Sequence, residues 1–417
     1  MKLKNSLFKY ILLGFFAYGV QLPVLAIDFE TAFHKAKDND PKFQAAKHDK
    51  DATSGQSLRD ITSYAPTFTY NQSQLPTLSV TSRAQTVSQP LFDAVKGASF
   101  LQAEPRKKIA DANYLVQTHD LALRVFNAMS QIIQTNEAIK ANESRLAALE
   151  SQFQSAKRKY ELGQGTITDQ LDVQVKYEQA KADDFTLKAN LKSARDQFKA
   201  IVGEAPNPLD FNLPNKHESF NIRLLDEVLA RVEKKNPAIL VAQANEKVAK
   251  LDVVKASGAV LPTIAYTYQK TVYTNVNAEN NGLSITIPLD MGSYIGTYVA
   301  HAKSKQSSST RLETEVKTKV EAERFYQQIE AGQQSLKIKG NAMDIARQSV
   351  LANQKSYDAG VKNTTDVLIA IQTLFQARNE YAVSAVQLGG NLLNLLLIGA
   401  EDPDEAVIRT QAFLFRK

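Results

Sequence analysis

The sequence repeats itself after 197 residues. The segment YELGQGTITD begins at Tyr160, and the related segment YDAGVKNTTD begins at Tyr357. Prolines recur in the same order around these segments, in pairs 196 to 198 residues apart: Pro41 and Pro237, Pro66 and Pro262, Pro90 and Pro288, and Pro206 and Pro403. Self-similarity at a fixed period indicates a duplicated structural unit. The sequence therefore predicts two tandem repeats, residues 27–215 and residues 216–417.

Residues 1–26 are predicted to be a signal peptide. Three lysines precede an apolar run that ends in Val24 and Ala26, where a signal peptidase reads small residues. An uncleaved membrane anchor is the alternative, and Pro23 and the small terminal residues favour cleavage. The absence of cysteine excludes a lipoprotein anchor and a disulfide framework. Three of the six excess positive charges fall in this segment, so the rest of the chain is nearly neutral and no nucleic-acid partner is indicated.

Each repeat begins with a predicted helix, over residues 28–60 and 224–257, where apolar residues recur at helical spacing. Two extended segments follow. In the second repeat, PTIAYTYQKTVYT and GLSITIPL alternate with a period of two, and TNVNAENNG between them is a predicted loop. The face expected to contact lipid consists of Ile264, Tyr266, Tyr268, Val272, Leu283, Ile285 and Ile287. In the first repeat, PTFTYNQSQ and LSVTSRAQTVSQPL predict a more polar hairpin.

These hairpins have two possible settings. A hairpin on a soluble core could show the same alternation. An aromatic-bearing face opposite a hydroxyl-rich face is, however, what a strand of an outer-membrane barrel requires, with lipid outside and water inside.

Two long helices are predicted over residues 92–160 and 291–357, which contain almost no proline or glycine. At 1.5 Å per residue, such a helix is roughly 100 Å long and must pair with neighbours along its length, as in a coiled coil. Shorter helices return over residues 169–201 and 366–398. Because each is about half as long, the first helix of the repeat is expected to supply the rest of the antiparallel partner.

Four strands in one chain cannot close a barrel, since the known minimum is about eight. An open sheet edge in lipid leaves unpaired amide groups at several kcal/mol each. The chain is therefore expected to oligomerise. With a signal peptide and no other predicted membrane helix, the expected location is the bacterial outer membrane.

The chain resembles the TolC family of outer-membrane efflux and secretion channels. The resemblance is carried by the paired segments YELGQGTITD and YDAGVKNTTDVL, the doubled PT at strand starts and the doubled PL at strand ends. It implies an α+β membrane protein: a homotrimer whose β-barrel, with four strands per subunit, continues into a long periplasmic α-helical coiled-coil barrel. Residues 203–223 and 400–417 would form an equatorial region. The implied partners are outer-membrane lipid, a periplasmic adaptor (membrane fusion) protein and an inner-membrane ABC or proton-driven transporter.

The resemblance also implies a pore constriction lined by two aspartates of the second repeat. Asp366 matches the first of these aspartates, but Ile369 stands at the second position. Asp172 offers a carboxylate at the equivalent place in the first repeat. Strong cation selectivity is therefore not implied for this chain.

The family's tips are held shut by links between coils. Tyr357 and Lys362 match the aromatic and basic partners, and Thr168 and Asp169 match the acceptors. Because lysine lacks the forked donors of arginine, a looser link is expected. Packing is the alternative role for Tyr160 and Tyr357.

Local chemistry alone accounts for several of these residues. Tight turns between antiparallel helices favour glycine, which predicts tip turns at Gly163, Gly165 and Gly360. Thr168 with Asp169, and Thr365 with Asp366, are predicted to cap the returning helices, and capping alone is an alternative role for both aspartates.

No enzyme, metal site or cofactor is predicted. The five histidines show no paired ligand spacing, and without cysteine a zinc site is disfavoured. The GQG at Gly163 lacks the Lys-Ser/Thr of a phosphate-binding loop. The predicted function is a passive conduit for efflux or type I secretion, and the alternative is a secreted coiled-coil tether or adhesin without a pore.

Overall fold

The structure is a computed structural model that describes residues 28–75, 80–206, 211–214, 217–273, 276–288 and 291–415. The predicted signal peptide (residues 1–26) and the predicted boundary between residues 215 and 216 lie outside these ranges. The first repeat contains α1 (Phe29–Asn39), α2 (Pro41–Ile61), β1 (Thr67–Leu75), β2 (Val80–Phe92), α3 (Ala94–Glu161) and α4 (Ile167–Val202). The second contains α5 (Leu225–Lys235), α6 (Pro237–Gly258), β3 (Thr263–Val272), β4 (Asn277–Thr286), α7 (Met291–Asp358) and α8 (Thr364–Ile398), followed by α9 (Pro403–Phe415).

The helix predicted at the start of each repeat is broken in two. Asp40 and Asn236 have extended backbones, because the residue before a proline is disfavoured in the α conformation. Each is also an N-cap: a carboxylate oxygen of Asp40 accepts from the amide of Phe43 at 2.8 Å, and the Asn236 side chain accepts from Ala238 at 3.0 Å. The prediction of single helices over 28–60 and 224–257 is therefore wrong at these joints.

The four strands form one antiparallel sheet in the order β1-β2-β3-β4. The two predicted hairpins are thus joined through β2 and β3. Ile264 lies opposite Ile285, and Tyr266 lies opposite Leu283, so the alternating residues of the two strands share a face. The same face continues through Val87 on β2.

The apolar part of this face covers the rows of the sheet nearest the helices. Farther along, Lys270 and Glu279 are paired across the strands with 2.6 Å between Nζ and Oε1, and Val272 lies between Arg83 and Asn277. The predicted loop TNVNAENNG is shorter than expected, because residues 277–282 pair with β3 and so satisfy their backbone groups. Ile287 lies just beyond the end of β4.

The long helices α3 and α7 each have 68 residues and organise the helical part. Near the sheet, α3 packs against α2 and α6, and α6 packs against α7. Toward the tips, α3 packs against α4 and α8, and α8 packs against α7. Two shorter helices therefore share each long partner, as the sequence analysis expected, and the lateral order is α2-α3-α6-α7 near the sheet and α4-α3-α8-α7 near the tips.

The main hydrophobic core lies where α1, α3, α4, α8 and α9 meet. Its largest fully buried side chains include Phe29, Phe33, Phe198, Phe211 and Leu393. Helix α8 is long and apolar enough to cross a membrane by length and composition, but 61% of its most apolar window is buried inside the protein. Its leucines fill this core, which lies in the region predicted to be equatorial.

The same joint occurs once in each repeat. The Asn39 side chain donates to the carbonyl of Val202 at 2.7 Å, and the Asn236 side chain donates to the carbonyl of Ile398 at 2.9 Å. Each returning helix is therefore tied to the break between the first two helices of its own repeat. Beyond the helix end, Gly203 has a φ of +90° and Ala400 has a φ of +53°.

The left-handed Ala400 gives a stability prediction. An L-residue in this conformation costs about 1–2 kcal/mol, part of which glycine loses again through its greater freedom when unfolded. Ala400→Gly should therefore raise the free energy of unfolding by about 0.5–1 kcal/mol, measured by guanidinium denaturation of the purified protein. Gly203→Ala is the opposing control and should destabilise, because a Cβ there would lie 1.8 Å from the Asn39 amide nitrogen. An unchanged or lower midpoint for Ala400→Gly would contradict this account.

Candidate functional site: the two helical tips

Two short turns join the long helices to the returning helices. The first tip comprises residues 162–166 and the second comprises residues 359–363. Gly163 and Gly360 have φ values of +68° and +75°, and no neighbouring atom of the described ranges lies within 4 Å of a Cβ built on either one. Left-handed backbone, not crowding, therefore favours glycine at both positions. Gly165 differs, since its backbone is not left-handed and a Cβ there would lie only 3.2 Å from the Lys159 Cβ.

Each returning helix begins with a capping box. The Thr166 hydroxyl accepts from the amide of Asp169 at 3.1 Å, and the Asp169 carboxylate accepts from the amide of Thr166 at 3.2 Å. Asn363 and Asp366 form the same reciprocal pair, at 2.9 and 3.3 Å. A cap at Thr168 would put Leu171 at the third helical position, where it could not reciprocate.

The predicted caps at Thr168 and Thr365 are therefore wrong by two residues. Both aspartates take part in capping, but from the third position of the helix. The hydrogen bond from the Thr166 side chain is the main reason that the pKa of Asp169 is lowered, although burial opposes the shift. Thr168 itself is exposed.

The proposed constriction residues do not all share one surface. Asp172 and Ile369, equivalent positions of the two repeats, line the same open groove between α4 and α8, with Arg145 of α3 also lining it. Asp366 is instead next to Lys362, with 3.5 Å between Oδ1 and Nζ. The structure therefore brings Asp172 together with Ile369.

The predicted link from Lys362 to Thr168 and Asp169 is not formed within this chain. The Lys362 ammonium faces the carboxylate of Asp366, which lies four residues later in the same repeat. The proximity of the two residues in the sequence explains this choice, because a lysine four residues from an aspartate reaches it without crossing to another helix.

A residue that the sequence analysis missed crosses between the tips. The Lys159 ammonium lies 3.6 Å from the centre of the Tyr357 ring and donates to the Tyr357 carbonyl at 2.9 Å. Tyr357 is 5% exposed, whereas its counterpart Tyr160 is 46% exposed. A second contact runs from the buried Thr364 side chain to the carboxylate of Asp169. The only sequence signal for the first contact was a lysine directly before Tyr160.

A small apolar cluster supports these contacts. Leu149, Ala180, Tyr357, Val367 and Ile371 bury one another where the four helices approach the tips, separately from the main core. Gln152 lies on α3 between Leu149 and the tip, is fully buried, and neither of its amide atoms has a hydrogen-bond partner in the described ranges. Among the residues that the structure describes, no group of three His, Asp or Glu side chains is placed to hold a metal ion.

Three comparisons place this architecture among known proteins. The sequence profile of outer membrane efflux proteins matches residues 32–204 and 228–398, one segment in each repeat. The alkaline protease secretion protein AprF of Pseudomonas aeruginosa is 24% identical over 414 residues, covering 88% of this chain and 83% of AprF. The outer membrane protein TolC of Escherichia coli is 23% identical over 417 residues, covering 92% and 84%. The outer membrane protein VceC of Vibrio cholerae shares the fold, with a TM-score of 0.73, 15% identity and coverage of 91% and 95%.

The buried amide of Gln152 generates a prediction for this site. A buried polar group without a partner costs about 1–3 kcal/mol, so Gln152→Leu should raise the free energy of unfolding by about 1–2 kcal/mol. Denaturation of the purified protein measures this change. The matched control is Gln154→Leu on the same helix, where the side chain is exposed and the change should stay within about 0.5 kcal/mol. If Gln152→Leu destabilises the protein and Gln154→Leu does not, the Gln152 amide has a hydrogen-bond partner, which contradicts this account.

Proposed function

This chain belongs to the outer membrane efflux protein family, and from that premise we propose that it is the outer-membrane channel of an efflux or type I secretion system. The observation that carries the proposal is the open sheet with two unlike faces. The channel is a passive exit duct, with its barrel in the outer membrane and its helical part in the periplasm. Its function requires that both the sheet and the helical layer be closed by other copies of the chain.

The sheet has the chemistry of a barrel wall. Its apolar face includes four exposed side chains, Phe68, Tyr266, Leu283 and Ile285. The opposite face consists mainly of Thr, Ser, Asn, Gln, Ala and Gly, and its strands of about ten residues match what a tilted membrane-spanning strand needs. Lipid suits the first face and a water-filled lumen suits the second.

Both edges of the sheet lack a partner among the residues that the structure describes. Within these residues β1 pairs only with β2, and β4 pairs only with β3. In a hydrocarbon environment each unpaired edge amide costs several kcal/mol, so these strands need neighbours. Pairing β4 of one copy with β1 of the next satisfies both edges by the same contact.

The helical layer has corresponding edges. α4 and α7 are the outermost helices near the tips, and both carry exposed apolar side chains. On α4, Ile167, Leu171 and Val175 recur every four residues, and on the part of α7 nearer the tips, Ile338 and Ile345 recur after seven residues, which is two helical turns. Contact between α4 of one copy and α7 of the next buries both stripes. We propose a homotrimer with twelve strands, as the family resemblance implies.

The proposed partners follow from the passive nature of the duct. A periplasmic adaptor protein and an inner-membrane ABC or proton-driven transporter would supply the energy and the cargo. The name of the relative AprF refers to protease secretion, and the matched family profile refers to efflux. A tether or adhesin without a pore is the competing function, but it has no use for a sheet with one aromatic face.

Reconstitution of the purified chain in planar bilayers tests the channel. The expected result is discrete conductance steps from a particle whose mass, after subtraction of detergent, equals three chains. The competing tether would give no conductance under any ionic condition. A mass of two chains, with eight strands, would retain a barrel but contradict the trimer.

A second prediction concerns the proposed constriction at Asp366. If three such carboxylates converge, their combined negative charge attracts multivalent cations. Asp366→Asn should weaken the block of single channels by hexamminecobalt(III). A loss of about 1.4 kcal/mol in the free energy of cation binding would raise the half-blocking concentration about tenfold. Asp358→Asn, on the exposed end of α7, removes the same charge near the same tip and is the control. An equal block in both variants and wild type would remove Asp366 from the constriction.

A further inference from the structure

We propose that Lys159 is the residue that fastens the two tips of one protomer together, and that it controls how readily they separate. This inference rests on the proposed channel function, in which the tips form the periplasmic entrance. It assigns to the first repeat a fastening role that the family resemblance implied for Lys362. The contact joins the last turn of α3 to the last turn of α7, which lie 198 residues apart in the sequence.

Lys159 engages Tyr357 by two different interactions. Its ammonium lies over the aromatic ring, 3.6 Å from the ring centre, where the negative face of the ring attracts a cation. It also donates to the Tyr357 carbonyl at 2.9 Å, among the last carbonyls of α7, where the helix dipole favours positive charge. Since Tyr357 is almost completely buried, the ammonium closes over a surface that water does not reach.

The other lysine of the site has no such reach. Lys362 is next to Asp366 on the second tip and forms its ion pair there. Lys159 therefore provides the lysine contact that spans the two repeats at this end of the molecule. Its positive charge also favours the ionised form of Asp169, whose carboxylate contacts Thr364 at the start of α8.

The long helices α3 and α7 are not direct neighbours near the tips, because α8 lies between them. The two hairpins are joined by the packing of α3 against α8 and by the apolar cluster of five buried residues, which is separate from the main core. Lys159 adds a contact between the ends of the two long helices themselves. Its removal should change the balance between joined and separated tips without unfolding either hairpin.

The test compares Lys159→Met, Lys159→Arg and Lys157→Met in planar bilayers. Lys159→Met keeps the length of the side chain and removes the cation, so the open fraction should rise by about fivefold or more. Lys159→Arg retains a cation that can lie on the ring and donate to the carbonyl, and it should remain near wild type. Lys157→Met removes an exposed cation two residues away and should have no effect.

A distance measurement provides a readout that does not depend on conductance. The chain has no cysteine, so spin labels can be placed through Leu162→Cys and Val361→Cys at exposed positions of the two tips, in labelled chains diluted with unlabelled chains. In the Lys159→Met background the distance distribution should broaden toward longer values, and in the Lys157→Met background it should stay narrow.

The two measurements separate the possible failures. If no variant conducts, the proposed channel function fails, while the spin-label distances still decide the role of Lys159. If all variants conduct alike and show the same distances, Lys159 is a packing contact only and the inference is overturned. If Lys159→Arg behaves like Lys159→Met in both measurements, the fastening by a cation on the ring is also excluded.

Discussion

The unpaired backbone of two edge strands is the constraint on which the rest of this structure depends. β1 and β4 each offer a row of amides and carbonyls that no other strand in the described part of the chain satisfies. In water such edges would invite aggregation, and in lipid they would be prohibitively costly. The helical layer repeats the problem at its own edges, where α4 and α7 expose apolar stripes. Rotational symmetry around a single axis resolves both problems, the unpaired strand edges and the exposed apolar stripes. It does so because the sheet and the helical layer end on the same two sides of the protomer.

The duplication explains how one chain can build such a segment of wall. Each repeat supplies one β-hairpin and one helical hairpin. In each repeat an asparagine side chain holds the break between the first two helices against the end of the returning helix, from Asn39 to Val202 and from Asn236 to Ile398. A long helix can then be covered by two shorter ones in succession, which solves the packing of 68 residues without a partner of equal length.

Periodic features were predictable from the sequence, and features that depend on distant contacts were not. Helix lengths near 68 residues and the shared face of Ile264 and Tyr266 follow from local spacing, which the fold preserves. The breaks at Asp40 and Asn236 were also encoded locally, by the prolines that follow them, but the helical period on both sides concealed them. The contact between Lys159 and Tyr357 had no comparable signal, because it requires two helix ends, separated by nearly half the chain, to meet.

The site at the tips arises where the two repeats have diverged. Equivalent tyrosines have opposite environments, since Tyr160 is exposed while Tyr357 is buried beneath Lys159. Asp172 and Ile369 likewise occupy equivalent positions but bring different chemistry to the groove between α4 and α8. Because one tip carries the cation and the other buries the ring, the hairpins can attract each other at their ends while their capping boxes keep both turns alike.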